Sequence, residues 1–198
     1  NLGIGLVLVG LVIGMSFASL VFLKTNNIVN ILLQVATISI IATGMTYVIL
    51  TGGIDLSVGS IVALSAVCLG TFIHAGMKWI GQDPSQFMVL LVVALSIIGA
   101  ILVGTICGLI NGFVIVCMKV PPFIATLGMM GIARGLALTI AGGKTLYSFP
   151  QSLRYLGNGK IPVTESFSLP VPVIIAFAVV MVSYYVLTQT RFGRQIYA

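Results

Sequence analysis

The sequence predicts an all-α fold: a polytopic transmembrane helical bundle of about six segments, one of them broken or irregular, in a single domain over residues 1–198. Three observations predict it. Hydrophobic residues make up 59% of the chain and charged residues 6%, against roughly 25% charge in soluble domains, and the mean hydropathy is +1.23. The few charges leave neutral intervals at 1–23, 25–54, 56–77, 84–118, 120–133 and 166–190, most of them near or above the ~20 residues that cross a bilayer as helix. The third observation is a lone carboxylate. Asp55 is the only acid between Asn1 and Lys78, inside Thr51-Gly52-Gly53-Ile54-Asp55-Leu56-Ser57-Val58-Gly59-Ser60. A charge at bilayer depth costs roughly 2.5 to 3.5 kcal/mol on insertion scales, so it is kept where it meets a wet path or a partner.

The first interval lacks a basic n-region and an evident cleavage site, so it reads as a permanent helix over about Leu2 to Leu23. Gly10, Gly14 and Ala18 recur every four residues there, the spacing for close packing against a neighbouring helix. After the polar turn Lys24-Thr25-Asn26-Asn27, a second helix covers about Ile28 to Leu50. Its Thr37, Ser39, Thr43, Thr46 and Tyr47 fit two readings, bonds to neighbouring helices or a lining of a permeation path. A third span follows Gly52-Gly53 to about His74, where His74, Lys78 and Trp79 mark a membrane interface.

Residues 84–118 form the longest neutral interval and predict one tilted helix. Gly104, Gly108 and Gly112 give it a double GxxxG packing face, and Asn111, whose amide wants up to four partners, is a candidate for a polar path. Lys119-Val120-Pro121-Pro122 breaks the helix, since proline lacks a donor and restricts the residue before it. The next segment runs from about Phe123 to Gly142-Gly143. Arg134 interrupts it, so it is expected to be broken, with Arg134 near the membrane centre and Asp55 as its candidate partner; the alternative has Arg134 reaching an interface. A polar loop over 144–168, with Lys144, Arg154, Lys160 and Glu165, leads to a last span from about Pro170 to Leu187. Ala36-Thr37 to Gly52-Gly53 and Ala125-Thr126 to Gly142-Gly143 form a faint internal repeat.

Several functions are excluded. The nine Lys and Arg are scattered singly, so no nucleic-acid surface is expected and membrane lipid is the bulk partner. His74 is the one histidine, which rules out catalysis by paired histidines, and no metal-ligand spacing occurs. Cys68, Cys107 and Cys117 lie in apolar intervals and read as buried, inert thiols. Gly143-Lys144-Thr145 copies the tail of a phosphate-binding loop, but Leu138 stands where its first glycine belongs. Catalysis therefore has no nucleophile, base or metal set to work with. Arg191 and Arg194 favour a cytoplasmic C-terminal end, which puts 24–27, 75–86 and 142–169 outside. The simple charge count opposes that orientation, with Lys24, Lys78, Lys144, Arg154 and Lys160 outside against Lys119, Arg191 and Arg194 inside.

Four separated segments are similar to one family. Gly44-Met45-Thr46 followed by Leu50-Thr51-Gly52-Gly53-Ile54-Asp55-Leu56-Ser57-Val58-Gly59-Ser60 resembles the signature of ribose/simple-sugar permease subunits of bacterial ABC importers, within the branched-chain amino-acid/ribose permease family. Gly108-Leu109-Ile110-Asn111-Gly112, Phe123-Ile124-Ala125-Thr126-Leu127-Gly128 with Ala133-Arg134-Gly135, and Thr190-Arg191-Phe192-Gly193-Arg194-Gln195-Ile196-Tyr197-Ala198 resemble its other motifs. Family members continue past this point, so the resemblance implies an N-terminal portion.

It also implies a non-enzymatic transport subunit of a bacterial inner membrane, carrying a ribose-like pentose or hexose. ATP and magnesium would act in a cytoplasmic ABC ATPase, with no cofactor in this chain; a second permease subunit and an extracytoplasmic sugar-binding protein complete the assembly. Thr51, Gly52, Gly53, Asp55, Ser57, Gly59, Asn111, Thr126 and Arg134 are then the candidates for the translocation path or its central bend. Unusual torsions are expected at Gly52, Gly53 and Gly59, and Asp55 as a helix cap remains an equal alternative. Rival functions are an ion-coupled transporter or channel for a small polar solute, and an ABC permease for branched-chain amino acids or nucleosides.

Overall fold

The computed structural model describes residues 2–164 and 167–197. Glu165, counted above in the polar loop, and Ala198, which closes the fourth motif, lie outside the described residues. In order, the elements are α1 (Leu2–Ala18), α2 (Thr25–Leu50), α3 (Val58–Ile80), α4 (Gln86–Val116), α5 (Pro122–Ala141), α6 (Gln151–Asn158), β1 (Lys160–Pro162), β2 (Ser168–Pro170), α7 (Val171–Gln189) and α8 (Arg191–Tyr197). The helices α2, α3, α4, α5 and α7 are long and apolar enough to cross a membrane, and α1 is a shorter apolar helix. The polytopic helical bundle expected from composition is therefore present.

Helix α1 departs from expectation twice. It stops at Ala18 rather than Leu23, where Ser16 Oγ donates to the Val12 carbonyl at 2.7 Å and Ser19 Oγ accepts from Val21 N–H at 3.4 Å. Such hydroxyls compete with the helical ladder. Its packing face is also unused: α1 buries none of its described residues, and a Cβ added at Gly10 or Gly14 would meet nothing within 4 Å. Close packing at these glycines is not made by the described residues of this chain.

The centre of the molecule is α3, packed on α4 and α5. Leu64 and Cys68 of α3, Cys107 of α4, and Met129, Ala133 and Ala137 of α5 form one buried cluster. Gly104 serves this contact, since a Cβ there would approach Ser65 Oγ at 3.2 Å. Cys68 and Cys107 are buried as expected, whereas Cys117 is exposed, because it follows the last turn of α4 instead of facing the cluster. Helix α4 is continuous over 31 residues, about 46 Å at ~1.5 Å per residue. It exceeds a ~30 Å hydrocarbon core and must tilt or project.

A second group pairs α2 with α7. Tyr47 Oη donates to the Ser183 carbonyl at 3.2 Å and accepts from Ser183 Oγ at 2.8 Å. Helix α7 ends at Thr190, whose hydroxyl donates to the Val186 carbonyl at 2.6 Å and accepts from Gly193 N–H at 3.3 Å. That turn directs α8 back toward α2, where Phe192 and Tyr47 rings lie 6.3 Å apart. Three other α2 hydroxyls do not bond to a neighbouring helix. Thr37, Thr43 and Thr46 each donate to the carbonyl four residues earlier in their own helix, which removes the need for an interhelical partner.

Helix α5 is one unbroken helix, not two half-helices. Pro122 fits its first turn because the missing N–H would be unpaired there, and Gly142 ends it with φ 58°. Arg134 does not break it, since a long side chain on an exposed helical position leaves the backbone ladder intact. The irregular stretch lies instead at residues 51–57, between α2 and α3. At the opposite end of α3, His74 Nε2 and the Tyr147 carbonyl are 2.7 Å apart, and His74 stacks on Phe149 with centroids 5.7 Å apart. The expected interfacial histidine is thus a pin for the loop after α5. From there α6 leads into the antiparallel β1–β2 pair, with Ile161 opposite Leu169.

Candidate functional site

The non-helical 51–57 stretch is built by its glycines and its aspartate. Gly52 has φ 75°, the left-handed region that favours glycine. Gly53 shows no left-handed φ, so the torsion expected there is absent; space favours it instead, since a Cβ would lie 3.0 Å from Val48 Cγ1 and 3.2 Å from the Val48 carbonyl oxygen. Gly59 does not share this role. It lies in the first turn of α3 with ordinary helical geometry and nothing within 4 Å of an added Cβ, so the torsion expected there is absent.

Asp55 is not the cap residue itself. Ser57 occupies the N-cap of α3, and Asp55 Oδ1 accepts from Ser57 N–H at 2.7 Å and from Ser57 Oγ at 2.6 Å. Hydrogen bonds to an ionised acceptor are short and strong, and this pair closes the turn that aims the chain into α3. Ser57 is fully buried, and its hydroxyl also accepts from Asn111 Nδ2 at 3.0 Å. Asn111 itself is 7% exposed. The start of α3 is thereby tied to α4. Thr126, 2% exposed on α5, ties the other side: its Oγ1 accepts from Leu56 N–H at 3.2 Å and lies 2.8 Å from the Pro122 carbonyl oxygen, to which it donates.

These segments surround a cavity of about 390 Å³, within the size range of small-molecule sites. Thr51, Gly53, Asp55, Gly108, Asn111, Gly112 and Thr126 line it, together with Val48, Ile54, Ile115, Val116 and Pro122. Seven of the residues singled out in the sequence thus converge, from three separate stretches of chain. Gly108 and Gly112, expected to pack against a helix, instead leave room: an added Cβ would meet nothing within 4 Å at either. The apolar liners were not predicted, because in a chain this hydrophobic a valine or isoleucine beside a cavity carries no distinguishing mark.

Position sets the cavity off-centre. Thr126 stands four residues into α5 and Asn111 five residues before the end of α4, so the cavity lies toward the 117–121 turn, roughly 6 Å inside the helix ends at ~1.5 Å per residue. Arg134 is not among its lining residues. It lies eight residues beyond Thr126 on α5, about 12 Å along the axis, on an exposed position, while Asp55 is held by Ser57. The expected Asp55–Arg134 pair is not formed. Among the described residues Asp55 Oδ2 and Asn111 Oδ1 accept no hydrogen bond, and both residues line the cavity.

Comparison with known proteins gives this arrangement a context. The chain is 41% identical over 190 residues to the ribose import permease protein RbsC of Bacillus subtilis (strain 168), covering 95% of this chain and 53% of that protein. It is 37% identical over 177 residues to the D-allose transport system permease protein AlsC of Escherichia coli (strain K12), covering 89% and 49%. It is likewise 37% identical over 184 residues to the fructose import permease protein FruG of Bifidobacterium longum (strain NCC 2705), again covering 89% and 49%. The chain spans about half the length of the curated relatives it matches. No solved structure matches it. Residues 27–198 match the family described as branched-chain amino acid transport system / permease component. With its apolar helices, the chain is a multi-pass membrane protein and belongs to that permease family.

Proposed function

We propose that this chain forms part of the translocation subunit of an ATP-driven importer for a simple sugar, and that the Asp55–Asn111–Thr126 cavity is a section of the sugar's path. The observation that carries the reading is the convergence of a carboxylate, an amide and hydroxyls around one cavity in a chain with three acidic residues in all. A sugar is neutral and rich in hydroxyls. Its O–H groups can donate to the Asp55 and Asn111 oxygens, and the apolar liners Ile54, Ile115 and Val116 can pack on its C–H faces. Weak, dispersed contacts suit a path, where a guest must leave as readily as it enters.

The import permeases for ribose, allose and fructose among the relatives support a simple sugar as cargo. A second permease copy or paralogue, a cytoplasmic ATPase and an extracytoplasmic sugar receptor are the partners this reading requires. In this reading ATP is hydrolysed by the partner ATPase, as the match to a transport permease family favours.

The test is uptake of labelled ribose, allose or fructose by the full-length permease with its ATPase and receptor in proteoliposomes. Uptake should need ATP on the ATPase side and should fall at least about tenfold in Asp55→Asn, with assembly intact. That loss corresponds to about 1.4 kcal/mol of lost interaction. Asparagine still accepts from Ser57, so the loss would report the charge rather than the turn. Uptake driven by an ion gradient without ATP would overturn the reading.

A further inference from the structure

We infer that Tyr47 is a positioning residue for the Asp55 cavity: its hydroxyl, clasped by Ser183, fixes the α2 wall of that cavity against α7. This rests on the sugar-path reading and names a residue outside the cavity on which the width of the path depends. The wall itself is the first argument. Tyr47 is not among the lining residues, but Val48, Thr51 and Gly53 are, and the backbone ties them to it. Thr51 N–H donates to the Tyr47 carbonyl at 3.2 Å, and Gly53 N–H donates to the Val48 carbonyl at 2.8 Å. Thr51 Oγ1 lies 3.2 Å from the Tyr47 carbonyl oxygen and 2.9 Å from that of Val48. The end of α2 is therefore bonded into one piece, with Tyr47 at its base and the cavity on its far side.

The anchoring of that piece is the second argument. On the side of α4 and α5 it is held through the turn that follows, by Thr126 at Leu56 N–H and by Asn111 at the Ser57 hydroxyl. On the side of α7 it is held by Tyr47, whose Oη donates to the Ser183 carbonyl and accepts from Ser183 Oγ. Thr37, Thr43 and Thr46 spend their hydroxyls within α2 and cannot share that task. The third argument is the packing around the clasp. Tyr47 and Ser183 both border a second cavity of about 500 Å³ between α2 and α7, so the two helices do not fill the space between them at this level. Hydroxyl bonds hold the helices there, and Ser183 is 9% exposed, where a lost bond is not replaced by bulk water. Without the clasp, the last turn of α2 is free to move away from Asn111 and Gly112 across the cavity.

The test is thiol labelling of the full-length permease in proteoliposomes, with exposed Cys117 replaced by Ser, buried Cys68 and Cys107 kept, and Gly112→Cys as the probe on the α4 side of the cavity. Tyr47→Phe keeps the ring beside Phe192 and removes only the hydroxyl bonds. It should speed the reaction of the probe with a membrane-impermeant thiol reagent at least about threefold. The concentration of ribose, allose or fructose that half-protects the probe should rise about fivefold, the scale of one neutral hydrogen bond. Ser183→Ala strips the Oγ bond from the other side and should shift both readouts in the same direction, with the double variant going no further than Tyr47→Phe. A role in packing alone would lower thermal stability and leave the probe's rate unmoved. That rate is read without sugar, so its failure is distinct from failure of the sugar reading, which shows as absent protection in the parent. Probe rates equal to the parent's in both single variants would overturn the inference.

Discussion

Two helices of this chain end in the same backbone closure and lead to opposite outcomes. At the end of α2, Gly52 N–H donates to the Ile49 carbonyl at 3.0 Å and Gly53 N–H to the Val48 carbonyl at 2.8 Å. At the end of α5, Gly142 N–H donates to the Thr139 carbonyl at 3.1 Å and Gly143 N–H to the Leu138 carbonyl at 3.2 Å. The pattern is the Schellman closure that glycine favours, and it gives the faint sequence repeat a structural counterpart. What differs is the next few residues. Ile54-Asp55-Leu56-Ser57 turns back into the bundle and is bonded by Asn111 and Thr126, whereas Lys144 onward leaves for the loop pinned by His74. A helix stop by itself makes no site; the side chains after it decide whether the chain re-enters.

The largest effect is therefore expected at Ser57, where three bonds meet. Ser57→Ala removes its hydroxyl bonds to Asp55 and Asn111 in a fully buried place and should cost about 2 kcal/mol. Thermal unfolding of the detergent-solubilised full-length protein should show the loss, and uptake should fall with it. Next is Gly53→Ala, whose Cβ meets Val48 at 3.0 Å; overpacking of this kind costs roughly 1 to 3 kcal/mol and should lower uptake.

At the matching α5 end, Gly142→Ala meets no atom but keeps φ 58°, a strain of roughly 1 to 2 kcal/mol. Stability should drop while uptake stays near that of the parent, and equal uptake defects at both helix ends would break the comparison. The smallest effect is expected for His74→Ala, about 1 kcal/mol. It frees the Tyr147 carbonyl and the Phe149 ring, so protease should cut the 144–150 loop faster with uptake little changed.

Much of this was legible in the sequence because membranes punish polarity. Asp55 and Asn111 stood out as polar groups in apolar runs, and the structure joins them through Ser57 at one cavity. The long α4 and the proline break before α5 were equally readable. Three things were not. The course of α5 past Arg134 was misread, because a charge count cannot tell a break from an exposed face. The threonines of α2 satisfied themselves within their own helix, an option that spacing does not reveal. The Tyr47–Ser183 clasp bears out interhelical bonding for Tyr47, but its partner lies 136 positions away, where no local pattern marks it.

The account stands on the cavity beside Asp55 being part of the sugar path, and one measurement addresses that directly. Gly112 lines the cavity and has room for a side chain. In the full-length permease with Cys117 replaced by Ser, the reaction of Gly112→Cys with a membrane-impermeant thiol reagent is timed with and without saturating sugar. The account predicts that the site reacts and that sugar slows it several-fold. A rate that sugar leaves unchanged, or a thiol that never reacts, would contradict it.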